Sequence, residues 1–190
     1  IYDIGTGKQR LVTESSNPTF APRWSPDGRN ILFSMAVAGN TDIYRVSVNG
    51  GTPVRLTNTP GIDVGGSYSP DGRQIVFESD RSGGQQLYVM NEDGSNQQRI
   101  SFGSGRYATP AWSPRGDLIA FTRFGGGSFA IGVMQPDGRG ERILTEGWGM
   151  EGPTFAPNGR VLAYYRETPA RDSRGNGYGA RMAMIDIAGF

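Results

Sequence analysis

Apolar and polar positions alternate in short bursts along this chain, and the bursts return in a fixed order. Ile31 and Phe33, Ile75 and Phe77, Ile119 and Phe121, and Leu162 and Tyr164 are each separated by one residue. That spacing puts both members of a pair on one face of a strand. A second kind of run follows each pair: Ile43-Tyr44-Arg45-Val46, Leu87-Tyr88-Val89-Met90, Ile131-Gly132-Val133-Met134 and Met182-Ala183-Met184-Ile185. A third carries Arg55-Leu56-Thr57, Arg99-Ile100-Ser101 and Arg142-Ile143-Leu144-Thr145. Helical periodicity and helix caps are missing throughout, so the pattern predicts an all-β chain.

The punctuation between the runs is periodic as well. Ser25-Pro26-Asp27-Gly28, Ser69-Pro70-Asp71-Gly72, Ser113-Pro114-Arg115-Gly116 and Ala156-Pro157-Asn158-Gly159 recur at intervals of 44, 44 and 43 residues. Proline pre-sets φ for the second position of a tight turn, aspartate accepts local backbone hydrogen bonds, and glycine takes the conformation a side chain resists. Asn49-Gly50, Asp93-Gly94 and Asp137-Gly138 mark further hairpins between the second and third kinds of run. An aromatic stands just before each tetrapeptide: Trp24, Tyr68, Trp112 and Phe155. A repeat of this length and grammar predicts four-stranded antiparallel blades of a β-propeller.

The expected boundaries are a partial blade at 1–14, whole blades at 15–58, 59–102 and 103–146, and a blade lacking its last strand at 147–190. The partial blade would supply a third strand, Ile1–Ile4, and a fourth, Arg10–Thr13. About four blades read as an arc of a six-bladed ring, which at this period needs about 260 residues. The chain starts at Ile1 with no initiator methionine or signal peptide and reads as a processed or excised piece. An insertion at 169–179, polar and glycine-rich, predicts a mobile surface loop.

Composition narrows the chemistry. Among 190 residues, 19 basic and 18 acidic side chains give a net charge of +1, so no global field draws the chain to nucleic acid or an anionic membrane. No run of about 18 apolar residues is present to span a bilayer. Histidine and cysteine are both absent. That removes the Ser-His relay, imidazole and thiolate metal sites, thiolate catalysis and disulfides from this chain. No catalytic residue and no cofactor is expected. The lack of cysteine is compatible with an oxidising compartment.

Strand order fixes two faces. The tetrapeptide turns and the Asn-Gly or Asp-Gly hairpins emerge on one side and are nearly alike in every unit, as scaffold should be. Fourth-to-first and second-to-third connections emerge on the other side and differ from unit to unit, which is where recognition sits on a rigid frame. There lie Ile62-Asp63-Val64, Arg106-Tyr107-Ala108 and Trp148-Gly149-Met150-Glu151, with Arg81, Phe124 and Phe129 from the second-to-third connections. The candidate contact set is Asp63, Val64, Arg81, Arg106, Tyr107, Trp148, Met150 and Glu151, rich in the residue types of interface cores.

Each candidate has a structural rival. Asp27 and Asp71 read as turn caps rather than metal ligands, since Arg115 and Asn158 take their place in later units. Trp24, Tyr68, Trp112 and Phe155 read as packing between blades rather than platforms for a sugar or base. Trp148 falls outside that register, and both readings stay open for it. Asp63 and Glu151 read as solvated loop carboxylates before they read as calcium ligands, and Arg81 as a blade-edge ion pair before a contact.

Taken together, the motifs resemble a known family. Arg55-Leu-Thr-Asn-Thr-Pro60, Ser69 to Arg81 (Ser-Pro-Asp-Gly-Arg-Gln-Ile-Val-Phe-Glu-Ser-Asp-Arg), Gln86-Leu-Tyr-Val-Met-Asn91 and Trp112 to Thr122 (Trp-Ser-Pro-Arg-Gly-Asp-Leu-Ile-Ala-Phe-Thr) closely resemble the propellers of the TolB family. These are periplasmic components of the Tol-Pal system of Gram-negative bacteria. The resemblance covers essentially all 190 residues and is most specific from Gln86 through Thr122. It implies a six-bladed propeller preceded by an α/β N-terminal domain that this chain lacks. It also implies a periplasmic location and a non-enzymatic role in outer-membrane integrity and constriction at division. The implied partners are the Pal lipoprotein on the funnel formed by the candidate loops, TolA through the N-terminal segment, and some colicins; nucleic acid and membrane insertion are not implied. The accessory propeller of a prolyl-oligopeptidase-like serine peptidase and a propeller polysaccharide lyase are the alternatives. Neither a Gly-x-Ser-x-Gly elbow nor a histidine is present for the former, and the single lysine, Lys8, and lack of histidine weigh against the latter.

Overall fold

Every tetrapeptide closes a hairpin, the first two by the same side-chain hydrogen bonds. The Ser25 hydroxyl donates to Asp27 Oδ1 at 2.6 Å and accepts the Asn30 N–H at 2.9 Å, while Asp27 accepts the Arg29 N–H at 3.0 Å. Ser69, Asp71, Arg73 and Gln74 repeat the arrangement. These bonds hold the carboxyls of Asp27 and Asp71 below the ordinary aspartate range, the serine hydroxyl contributing most. In the third unit the Ser113 hydroxyl turns to Asp117 instead, and in the fourth Asn158 accepts the Arg160 N–H.

The structure, a computed structural model, describes residues 1–169 and 178–187. Four antiparallel sheets stand as blades of a β-propeller, and no helix occurs among the described residues. Blade 1 holds β1 (Thr19–Trp24), β2 (Asn30–Val37), β3 (Asn40–Ser47) and β4 (Val54–Arg55). Blade 2 holds β5 (Asp63–Tyr68), β6 (Gln74–Ser79), β7 (Gln86–Asn91) and β8 (Gln98–Arg99). Blade 3 holds β9 (Arg106–Trp112), β10 (Ile119–Gly125), β11 (Ser128–Met134) and β12 (Arg142–Gly147). Blade 4 has three strands, β13 (Met150–Phe155), β14 (Val161–Pro169) and β15 (Tyr178–Asp186). Residues 170–177, the body of the expected mobile loop, lie outside the described residues.

Two expectations need correcting. Ile1–Ile4 and Arg10–Thr13 do not form strands; a single antiparallel bridge joins Tyr2 to Gln9. Two lone strands without a sheet beside them bury too little to persist. The fourth strands of blades 1 and 2 are only two residues long, because side chains take over the ladder. The Ile43 N–H donates to Thr57 Oγ1 (3.0 Å), whose hydroxyl donates to the buried Asp42 (3.1 Å). In blade 2 the Leu87 N–H donates to Ser101 Oγ (2.8 Å), whose hydroxyl donates to Gln86 Oε1 (2.7 Å). Blade 3 has Ala130 where Asp42 and Gln86 stand, and there β12 continues as backbone pairing to Gly147.

The core is a series of seams between blades. Leu32, Ile43 and Leu56 of blade 1 meet Tyr68, Ile75 and Phe77 of blade 2. Val76, Leu87 and Ile100 of blade 2 meet Tyr107, Trp112 and Phe121 of blade 3, and Ala120, Ile131 and Val133 meet Met150, Leu162 and Tyr164. The aromatic that precedes each turn therefore packs on the preceding blade. Trp24 has no four-stranded blade before it and is half-exposed.

Close approach across the seams explains two of the hairpin glycines. A Cβ on Gly138 would lie 2.1 Å from the Ile100 carbonyl oxygen of the preceding blade, and one on Gly94 would lie 2.5 Å from that of Leu56. Both residues also have φ near +90°. Phe77→Ala is expected to cost about 3–5 kcal/mol, and Gly138→Ala to destabilise by forcing blades 2 and 3 apart. Chemical denaturation measures both; an unchanged midpoint for either variant would contradict the seam assignment.

Candidate protein-binding face

Each first strand breaks its pairing at the same place. The ladder slips between Phe20 and Arg23, Val64 and Ser67, Ala108 and Ala111, and Glu151 and Thr154. At each slip one residue has positive φ: Ala21 (53°), Gly65 (68°), Thr109 (49°) and Gly152 (63°). Proline follows at Pro22, Pro110 and Pro153, where a bulge spares it a ladder bond. The four first strands line a central trough of about 530 Å³ that includes Phe20, Val64, Ser67, Thr109, Thr154 and Glu78.

Alternation above the bulge sorts the candidate residues. Asp63, Tyr107 and Met150 are repeat equivalents, cross-strand from Ser79, Arg123 and Arg166. All three face the preceding blade and are fully buried. They were expected at the exposed rim, and the structure takes them out of it, because a residue one place along a strand points to the opposite face. Their neighbours Val64 and Glu151 are the ones left accessible, Val64 half-buried and Glu151 exposed.

The buried members carry internal structure. Asp63 Oδ2 pairs with Arg81 Nη2 at 2.8 Å and accepts the Thr59 hydroxyl at 3.2 Å. Arg81 also donates from Nε to Ser79 Oγ and from Nη1 to Gln97 Oε1, and its guanidinium lies over the rings of Phe77 and Tyr88 at 5.3 and 4.8 Å. Arg81 is thus an ion-paired strut, its partner Asp63 and not the adjacent Asp80. The Tyr107 hydroxyl donates to Glu141 at 2.8 Å, and its ring tilts against Phe121 at 5.2 Å. Burial, with the Glu141 carboxylate next, pushes the Tyr107 phenol up to about 12. Asp63 is committed to Arg81, and no group of three or more acidic, histidine or cysteine ligands converges among the described residues.

Arg106, Trp148 and Glu151 do stand exposed on the variable face, joined by Ile62. Trp148 is 54% exposed, meets Phe129 edge-on at 5.9 Å, and Phe129 stacks on Phe124 at 5.9 Å. The indole N–H donates to Glu167 Oε2 at 3.1 Å, which fixes the ring in place. A rigid exposed tryptophan on a shelf of two phenylalanines is well suited to anchor a protein partner.

Sequence inspection missed Glu78, whose position in β6 gave no sign of the trough. It is 8% exposed, and a Cβ at Gly65 would fall 2.7 Å from its Oε1. Burial, opposed by the Thr109 backbone N–H and reinforced by the Glu151 charge, pushes its carboxyl up to about 7. Ser34, Thr122 and Tyr165 hold the equivalent positions. That alignment, visible only once the repeat register is drawn, is the signal that finds it.

Two outcomes follow. Tyr107→Ala should lower stability by about 3–5 kcal/mol, as removal of a buried ring does, whereas Tyr107→Phe should cost no more than about 1.5 kcal/mol; equal small losses would return Tyr107 to the surface. Glu78 binds its proton more tightly folded than unfolded, so its contribution is greatest below the ordinary glutamate range. It declines as pH rises towards about 7. Melting temperature should fall across that window, and Glu78→Gln should flatten the fall; an identical slope in both proteins would refute the assignment.

Comparison with known proteins places this geometry. A family model, the TolB beta propeller domain, matches residues 1–178. The chain is 49% identical over 191 residues to the Tol-Pal system protein TolB of Gluconobacter oxydans, covering all of this chain and 42% of that protein. A 48-residue stretch is 58% identical to the Tol-Pal system protein TolB of Paramagnetospirillum magneticum, covering 25% of this chain and 10% of that protein. Among solved structures, TolB from Acinetobacter baumannii superposes with a TM-score of 0.82 at 28% identity, over 99% of this chain and 45% of that one. A puromycin hydrolase gives 0.72 at 17% identity, over 95% and 30%, a likeness of fold alone. The chain spans less than half the length of these relatives.

Proposed function

The chain belongs to the TolB β-propeller family, and from that premise we propose that it is a non-enzymatic binding frame that holds the Pal lipoprotein against its variable face. Trp148 is the observation that carries this reading. It is a large aromatic held rigid by Phe129 and Glu167 yet half exposed, on the side where connections differ between blades. Ile62, Arg106 and Glu151 complete the contact, with Val64 at the edge of the trough. The repeated turns of the opposite face serve as scaffold.

Several further properties belong to the same proposal. The protein works in the periplasm, in outer-membrane integrity and division, with TolA and colicins as additional partners of the whole protein. Among the described residues no helix is long and apolar enough to cross a membrane. Membership in the family and 49% identity along the whole chain support the reading over that of a peptidase propeller, which rests on fold likeness.

Calorimetry with purified Pal tests it. Trp148→Ala is expected to weaken binding by about 1–3 kcal/mol, the range of an anchor near an interface centre, while the melting temperature stays within about 1 °C because the ring is half in solvent. Unchanged affinity for Pal in both Trp148→Ala and Arg106→Ala would refute the placement on this face.

A further inference from the structure

Glu78 is out of place. Its equivalents Ser34, Thr122 and Tyr165 are neutral hydroxyls, and Thr122 shows that a hydroxyl suffices for the local architecture. Its Oγ1 accepts the Gly152 N–H at 3.3 Å and meets Thr109 Oγ1 at 2.7 Å. Glu78 accepts the Thr109 N–H in the same way, so the carboxylate charge is surplus to that task. The two other deeply buried carboxylates among the described residues each have an arginine: Asp42 with Arg55 at 2.6 Å and Asp63 with Arg81 at 2.8 Å. Beyond the Thr109 N–H, Glu78 has the Gln85 amide at 3.4 Å, and it forms no ion pair among the described residues. A buried carboxylate without a cation is a costly group to keep.

The surroundings of Glu78 suit a visitor. It lines the trough of about 530 Å³ together with Ser67, Thr109 and Thr154, and with the aromatic rings of Phe20 and Trp112. The other charged groups that bear on this space are Glu151, which adds negative potential, and Arg23 on β1, whose guanidinium donates to the Pro22 carbonyl. Gly65 opens the space over the carboxyl, and a Cβ on Gly152 would meet nothing within 4 Å. Hydroxyls, aromatic rings and one unpaired carboxylate are the groups that receive an ammonium or guanidinium.

We propose that the central trough binds a single organic cation, the ammonium or guanidinium of a partner's lysine or arginine side chain, with Glu78 as its counter-ion. The site centres on Glu78, which is not among the residues assigned to Pal, so loss of cation binding in Glu78→Gln is distinguishable from loss of Pal binding in Trp148→Ala. Ionised Glu78 gains a partner when the cation enters, and binding releases the proton that burial had kept on it.

Carboxyl NMR on the full chain labelled with ¹³C-glutamate, with Glu78 assigned by substitution, tests the proposal using methylguanidinium and n-butylammonium as probes. Either cation should lower the titration midpoint of Glu78 saturably. Glu78→Gln should lose at least about tenfold in probe affinity, equivalent to about 1.4 kcal/mol, as read from the resonances of Thr109 and Thr154. Glu78→Thr, which copies Thr122, serves as the second variant if the glutamine form misfolds. A midpoint unmoved by both probes, a midpoint moved by calcium chloride alone, or probe affinity retained in the variants would overturn it.

Discussion

The burial of one sheet face against the next is the interaction on which everything else in this molecule depends. A single blade has two faces and no interior of its own, so its Ile, Leu and Phe side chains are removed from water only by a neighbouring blade. The clusters that join Leu32 to Phe77, Leu87 to Phe121 and Ile131 to Tyr164 are successive instances of one contact. Stability is therefore distributed along the arc, and each blade depends on its immediate neighbours. Glycine at 94 and 138 follows from the same requirement, because carbonyls of the preceding blade come within the reach of a Cβ there.

Close packing leaves polar groups at the seams that must find partners, and the blades solve this differently. Blades 1 and 2 end their ladders in a relay from a backbone N–H through Thr57 or Ser101 to Asp42 or Gln86. Blade 3, with Ala130, relies on backbone pairing. Near the trough, the left-handed residues of β9 and β13, Thr109 and Gly152, donate their N–H groups to the preceding blade, to Glu78 and Thr122 respectively. The periodic fold thus carries nonperiodic chemistry at fixed places.

This arrangement also separates support from recognition. Arg81, Asp63, Tyr107 and Met150 lie at the top of the seams and brace them. Trp148, Arg106, Ile62 and Glu151 lie one step further out and meet solvent. A partner approaching the variable face would touch the second group, while loss of the first would be felt as loss of the frame.

The strand periodicity, the turns and the 44-residue repeat were legible in the chain because they are local: each depends on residues within a few positions of one another. The family resemblance was legible for the same reason. Short, half-formed strands at 1–14 were misread, since the pattern of a strand does not reveal whether a sheet stands beside it. Three of the residues expected on the contact face, Asp63, Tyr107 and Met150, are buried, and one physical fact accounts for it. Asp63 and Val64, or Met150 and Glu151, are adjacent in the chain but point to opposite faces, and only the neighbouring blade determines which face is covered. Glu78 was invisible for a related reason: that no cation pairs with its carboxylate among the described residues is a property of packed blades, which no segment of sequence contains.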